Sequence, residues 1–250
     1  GNCDLVMCGG INGRRRIMKT RLVVLDLDDT LLTTDKKILQ EDRQAIIACL
    51  RKGINVVTAS GRFHQSQLDF IQKMACGIEQ RPQVGDGGGT IFLGETVLKK
   101  MGFFNREQFL SVLKQVKASH IPCYVSDGEH VYYDIKEQPL HQVYQQIRKQ
   151  QADLFCYIPD LSKISNPLRF ICAFHSQEEE KKLKSINSME TVAYRVGRNL
   201  IEITTKSLNK LNGVKEVLKW YRVNLSQVAC IGDSDNDLTM IQGAGIGMAV

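Results

Sequence analysis

The chain has no apolar run approaching the roughly 18 residues that a membrane-spanning helix requires, which excludes a helical membrane protein. Glycine contributes 20 of 250 residues and proline only 5, far too few for a collagen-like or low-complexity chain. Eight cysteines are present at positions 3, 8, 49, 76, 123, 156, 172 and 230, and no pair has the CxxC spacing of zinc or thioredoxin-like sites. Cys172 and Cys230 sit in apolar runs, where free buried thiols belong, so inert thiols in a reducing cytoplasm are expected. Residues 1–17 lack the apolar core of a secretory signal and are poor in serine, unlike a transit peptide.

Positive charge is not spread over the chain. The net charge is +6, and half of it comes from residues 1–20, where Arg14, Arg15, Arg16 and Lys19 outweigh Asp4. The remaining body is nearly neutral, so nucleic acid is not expected as a partner. Met18 precedes a strand-like run at once, and residues 1–17 read as an extension or tag-like leader. At the other end the sequence stops inside the apolar, glycine-rich GAGIGMAV, so further C-terminal elements are expected.

At about 150 residues per domain, the length suggests one to two domains. Arg21–Leu27 and Ile54–Ala59 are β-branched and apolar and read as buried parallel strands. Lys36–Lys52 and Phe63–Ala75 carry helical periodicity. This alternation predicts an α/β sheet with right-handed crossovers. The pattern then changes. Gln83–Lys99 reads as a glycine-rich hairpin, Asn105–Lys117 as a helix with an Asn105/Gln108 capping box, and Pro122–Val125 with His130–Ile135 as a second hairpin. A helix near Gln138–Gln150, a strand at Arg169–Phe174 and a charged helix at Ser176–Ile186 follow. An inserted α+β domain is expected at 84–188. The α/β pattern resumes with strand Asn199–Thr204, helix Asn209–Tyr221, strand Val228–Gly232, helix Leu238–Gln242 and strand Gly245–Val250. The fold class is thus α/β, a doubly wound Rossmann-like parallel-sheet core (18–83 and 189–250) interrupted by a compact insert.

Acidic residues cluster at the carboxyl ends of two of these strands, as Asp26-Leu27-Asp28-Asp29 and as Asp233-Ser234-Asp235-Asn236-Asp237. Sites in open α/β sheets form there. One such aspartate serves well as a helix cap, but two facing clusters repel unless a cation lies between them. Oxygen donors favour Mg²⁺. Asp26 and Asp28, two residues apart on extended backbone, point to the same side, so one could attack while the other handles protons. Ser60-Gly61-Arg62 ends the second strand and offers a hydroxyl, backbone N–H groups and a guanidinium to an anion. Lys206 and Lys210 are candidates for the cation that a phosphorylated aspartate needs.

These motifs resemble those of the haloacid dehalogenase-like phosphohydrolases, and more narrowly the Cof-type phosphatases, whose large cap is inserted after the second motif. The likeness extends from about Arg21 to Val250. Asp26-Leu27-Asp28-Asp29-Thr30 is similar to DxDGT, with Asp29 in place of the common glycine. The resemblance implies that Asp26 is a nucleophile that becomes aspartyl-phosphate. It implies that Asp28 is the general acid/base, with its backbone carbonyl on Mg²⁺. Ser60 falls where the family has a phosphoryl-binding threonine. Ser207-Leu208-Asn209-Lys210 resembles GVSK, which selects Lys210 over Lys206. In the GDxxND-like segment Asp233 would be a metal ligand, Asp237 a ligand or its support, and Asn236 a contact to phosphate or lysine. Asp86-Gly87 stands where many relatives have Asn-Gly, and an acid there disfavours an anionic substrate.

The expected function is Mg²⁺-dependent hydrolysis of a small phosphate ester, sugar phosphate-like by resemblance, with pyridoxal phosphate or nucleotide-like esters as alternatives. The expected catalytic set is Asp26, Asp28 and Lys210. Ser60, Gly61, Arg62 and Asn236 would bind phosphate or substrate, and Asp26, Asp28, Asp233 and Asp237 the metal. A sugar phosphomutase or phosphotransferase of the same superfamily, and a non-catalytic phosphate-binding regulator, are the competing readings. The cap would shape selectivity, with Tyr124, His130, Tyr132, Tyr133 and His141 as candidate contacts. The expected partner is a small-molecule phosphate ester, with no nucleic acid and no membrane. The expected state is a cytoplasmic monomer or homodimer.

Overall fold

A computed structural model describes residues 5–6, 19–135, 152–186 and 190–250. The chain divides into two compact units, one running to Met101 and resuming at Asn209, the other spanning Gly102–Leu208.

The first unit holds a five-stranded sheet. Its strands are β1 (Leu5–Val6), β2 (Leu22–Leu25), β3 (Asn55–Thr58), β13 (Val228–Gly232) and β14 (Ile246–Ala249). Their order is β1-β14-β13-β2-β3, parallel throughout except that β1 joins the edge antiparallel to β14. Side chains alternate between two cores, as a two-residue period requires. Leu22 and Val24 pack with Val57, Val214, Val217 and Met240, on the side of helices α5 (Lys210–Tyr221) and α6 (Leu238–Gly243). Leu25 and Val56 pack with Ile46, Leu68 and Ile71, on the side of α1 (Gln40–Arg51) and α2 (His64–Met74). Helices on both faces make the doubly wound α/β fold expected from the sequence. Helix α1 begins later than its periodicity suggested. Lys36 takes a left-handed backbone at φ 59° and a tight turn from Thr33 to Lys37 precedes the first helical residue.

The glycine-rich segment forms three antiparallel strands, β4 (Gln83–Gly85), β5 (Thr90–Leu93) and β6 (Thr96–Lys100). These belong to the first unit. Val84 bridges to Ala59 just beyond β3, and Val84, Ile91 and Phe92 are buried in the two cores above.

The second unit is a six-stranded sheet of β7 (Cys123–Ser126), β8 (Val131–Tyr133), β9 (Phe155–Tyr157), β10 (Arg169–Ala173), β11 (Thr191–Gly197) and β12 (Leu200–Thr205). The order is β11-β12-β10-β7-β8-β9, with only β8 and β9 parallel. Helices α3 (Arg106–Ala118) and α4 (Gln177–Lys184) cover one face, contributing Phe109, Val112, Val116 and Leu183 to its core. The Asn105/Gln108 capping box forms as the sequence predicts; at α4, Ser176 accepts from the Glu179 N–H at 3.2 Å, while the Glu179 carboxylate accepts from the His175 N–H at 2.6 Å instead of closing a box on Ser176. The unit boundaries lie later than the expected 84–188. The hairpin at its start packs into the first unit, and β11 and β12 continue the sheet through β10. The helix expected at 138–150, and His141, lie outside the described residues. Tyr124 is fully buried, Tyr132 donates its hydroxyl to Asp127, and Tyr133 packs edge-on against Tyr157.

Two predictions follow from this packing. Gly88 sits at φ +105°, and a Cβ there would fall 2.1 Å from the Asn209 carbonyl oxygen at the start of α5. Gly88→Ala is therefore expected to lower the unfolding free energy by about 2–3 kcal/mol, read by urea denaturation. The six described cysteines are free thiols. Burial pushes the Cys123 thiol up to about 11, the Cys230 thiol up to about 12, and Cys172 well above its ordinary value. Native protein treated with iodoacetamide at pH 8 should leave these three unmodified by site-resolved mass spectrometry, because the thiolate is the reactive form.

Candidate active site

The parallel register brings the two acidic clusters to one edge. Leu25 pairs with Ile231, and the backbone N–H of Asp26 donates to the Ile231 carbonyl at 2.9 Å. Asp26 and Asp233 thus follow adjacent strands. On the other flank of β2, Leu25 pairs with Thr58, so Ser60 emerges from the next strand end.

Lys210, the first residue of α5, lies at the centre of this edge. Its side chain is 2% exposed and its Nζ stands 2.5 Å from Asp26 Oδ1 and 2.6 Å from Asp237 Oδ1. Asn209 caps the helix by accepting from the Asn212 N–H at 2.9 Å, which fixes where that side chain starts. Lys206, the other candidate, is an exposed residue of the second unit. Burial pushes the Asp26 carboxyl up to about 6, against the pull of Lys210 and with a further push from Asp237.

Asp237 is fully buried. Its Oδ2 accepts from the N–H groups of Asp233 and Ser234 and from the Ser234 hydroxyl, at 3.3, 3.2 and 2.9 Å. Gly232 makes room for it: a Cβ at that position would meet Asp237 Cγ at 2.5 Å. Asp233 accepts from the Thr30 hydroxyl at 2.9 Å. Carboxylate oxygens of Asp26, Asp233 and Asp237 all lie within 4.8 Å of one another. Three hard oxygen donors at that spacing fit a small divalent cation of the Mg²⁺ class.

The carboxylate of Asp28 is not part of this trio. Arg62 grips it with two bonds, Nε to Oδ2 at 2.7 Å and a terminal nitrogen to Oδ1 at 2.6 Å. Lys36 Nζ lies 2.7 Å from Oδ1. Although burial works the other way, Arg62 and then Lys36 hold the Asp28 carboxyl below its ordinary value. Arg62, expected to face substrate, is therefore engaged with Asp28; its guanidinium also lies 4.3 Å above the Phe70 ring and reaches Ser66.

Ser60 is buried, and its hydroxyl accepts from the Arg62 N–H at 3.2 Å. Gly61 lies beside Asn236, whose Nδ2 is 3.9 Å from where a Cβ on Gly61 would be. The other end of the Asn236 amide accepts from Ser234 at 2.8 Å. Asp29 adopts φ 61° and Asp86 φ 53°, the left-handed region that glycine and asparagine enter most easily. That explains why glycine and asparagine are the residues the motifs favour there. The motif reading missed Thr30 and Lys36. A hydroxyl directly after the acidic cluster and a lysine after Thr-Thr-Asp were the available signals, but neither is distinctive without the fold.

Residues 23–250 match the family described as haloacid dehalogenase-like hydrolase. The chain is 22% identical over 243 residues to 5-amino-6-(5-phospho-D-ribitylamino)uracil phosphatase YbjI of Escherichia coli, covering 93% of this chain and 86% of that one. It is 23% identical over 254 residues to pyridoxal phosphate phosphatase YbhA of the same organism, covering 93% and 88%. Among solved structures, a haloacid dehalogenase-like hydrolase from B. subtilis superimposes with a TM-score of 0.73 at 19% identity, covering 91% of this chain and 88% of that one. The motif order, the doubly wound core and the family match together make this chain a Cof-type phosphatase, a member of the haloacid dehalogenase-like hydrolase family.

Proposed function

We propose that the protein hydrolyses the phosphomonoester of a small metabolite through an aspartyl-phosphate on Asp26, with Mg²⁺ as cofactor. One observation carries this reading: a single buried lysine bridges the carboxylates of Asp26 and Asp237, and a third carboxylate lies within 4.8 Å of both, so the cluster keeps a net negative charge. Such a cluster is costly unless it works on charge.

Asp26, Asp233 and Asp237 would hold the ion, with the backbone carbonyl of Asp28 added by family resemblance. When bound, Mg²⁺ supplies positive charge that offsets the carboxylates and the oxygens of a phosphoryl group. The Asp26 carboxylate attacks phosphorus in line; an Asp26 O–P bond forms as the ester P–O bond breaks. Asp28 gives a proton to the departing oxygen, then takes one from the water that attacks the phosphorus of the acyl phosphate. Phosphate leaves and Asp26 is regenerated. Lys210 keeps the Asp26 carboxylate oriented and balances charge as it spreads over phosphoryl oxygens. Ser60 and the backbone of Gly61 sit where the phosphoryl group would be received, with the Asn236 amide beside them. A sugar phosphate-like ester is the favoured substrate. The relatives named as pyridoxal phosphate and ribitylaminouracil phosphatases support small phosphorylated metabolites as the class.

The test is release of inorganic phosphate from p-nitrophenyl phosphate with no second acceptor present. Wild-type protein should turn over with Mg²⁺ and stop with EDTA. Asp26→Asn should abolish turnover, and Asp28→Asn should lower kcat by about 10²–10⁴-fold. Persistent turnover in Asp26→Asn would rule out the covalent route.

A further inference from the structure

The Thr33–Lys37 turn is built around one strained residue. Lys36 donates its N–H to the Thr33 carbonyl at 2.7 Å, and Thr33 donates its own N–H to the Lys37 carbonyl at 2.9 Å. The Thr33 hydroxyl makes two more bonds to the Lys37 backbone, at 3.1 and 3.2 Å, and Leu32 bridges antiparallel to Ile38. This is a three-residue hairpin loop, a geometry whose last loop position must be left-handed and is normally glycine. Here that position is Lys36, at φ 59°.

A glycine would occupy the turn without strain, so the turn gives no reason for lysine. The side chain gives one. Its ammonium lies 2.7 Å from Asp28 Oδ1, the same oxygen that takes one Arg62 bond, while Oδ2 takes the other. Arg62 is itself set by Phe70 and Ser66. Asp28 is thus held from two directions, by a guanidinium from the end of β3 and by an ammonium from the loop before α1. Strain kept at a position where a side chain reaches a reacting group points to function.

We propose that Lys36 is a positioning residue for Asp28: with Arg62 it fixes the carboxylate in one place and orientation. The proposal rests on the acid–base reading of Asp28 given above. Lys36 touches Asp28 and no other described carboxylate within ion-pair distance, so its effect is expected in kcat rather than in substrate affinity.

The experiment compares Lys36→Gly, Lys36→Asn and Lys36→Arg with wild type and Asp28→Asn, on p-nitrophenyl phosphate with Mg²⁺, alongside thermal unfolding. Lys36→Gly and Lys36→Asn should keep or raise the melting temperature, since both residues accept the left-handed backbone. Both should lose kcat by about tenfold or more, as expected for impaired proton transfer, with KM within about twofold. Lys36→Arg, which restores the cation, should recover most of the loss. An unchanged or raised kcat in Lys36→Gly, or a raised KM with normal kcat, would overturn the proposal while leaving Asp28 intact as acid and base. A lowered melting temperature in both Gly and Asn variants would overturn it too, by removing the strain on which it stands. Wild-type turnover in Asp28→Asn would instead sink the reading of Asp28, and the proposal with it.

Discussion

Everything at this carboxyl edge of the sheet depends on one buried ammonium. Lys210 Nζ sits between the carboxylates of Asp26 and Asp237, and all three side chains are almost wholly removed from solvent. At an effective dielectric near 20, two like charges about 4 Å apart repel by about 4 kcal/mol, before any desolvation cost is counted. A cation between them turns that repulsion into attraction. It does not cancel the cost of burial, because the Asp26 carboxyl is still pushed up to about 6. Backbone donors at Asp233 and Ser234 share the load on Asp237. The arrangement is a pre-formed charge system rather than a stabilising ion pair.

The fold supplies the three elements that must meet. Parallel pairing of β2 with β13 puts Asp26 beside the Asp233–Asp237 turn, and pairing with β3 brings Ser60 to the same edge. Close backbone approach does the rest. Gly88 lets the Asp86–Gly88 turn abut the start of α5, and Gly232 lets Asp237 fold back on its strand. A methyl group at either place would move a charged atom of the cluster. Arg62 and Lys36 form a second, more open charge system around Asp28, so the two aspartates of the first motif lie in opposite electrostatic settings. Burial raises one and cations lower the other.

Much of this was legible in the sequence because it rests on local rules. Apolar β-branched runs ending in acids mark the strand ends of Asp26 and Asp233, and Asn105 with Gln108 marks a helix start. Long-range pairing was less legible. Strand β9 is short and follows no hairpin signal, and β11 shows little alternation, so neither was expected. The glycine-rich hairpin read as part of the insert because sequence change and structural boundary need not coincide; its apolar residues pack into the first unit's cores instead. Arg62 read as a substrate ligand because a strand-end arginine near a hydroxyl suits an anion. Its partner Asp28 lies 34 positions earlier, and only the fold shows that it is engaged there. Lys36 was passed over for the same reason.

The most direct measurement is the stability of Lys210→Met in metal-free protein, by urea unfolding at pH 7.5 and pH 5. If Lys210 is the charge that permits the cluster, its loss strands two buried carboxylates and lowers the unfolding free energy by about 3–5 kcal/mol at the higher pH. The deficit should shrink at the lower pH, where protonation of Asp26, already raised in the native protein, relieves the repulsion. Equal stability of variant and wild type at both pH values would contradict the account.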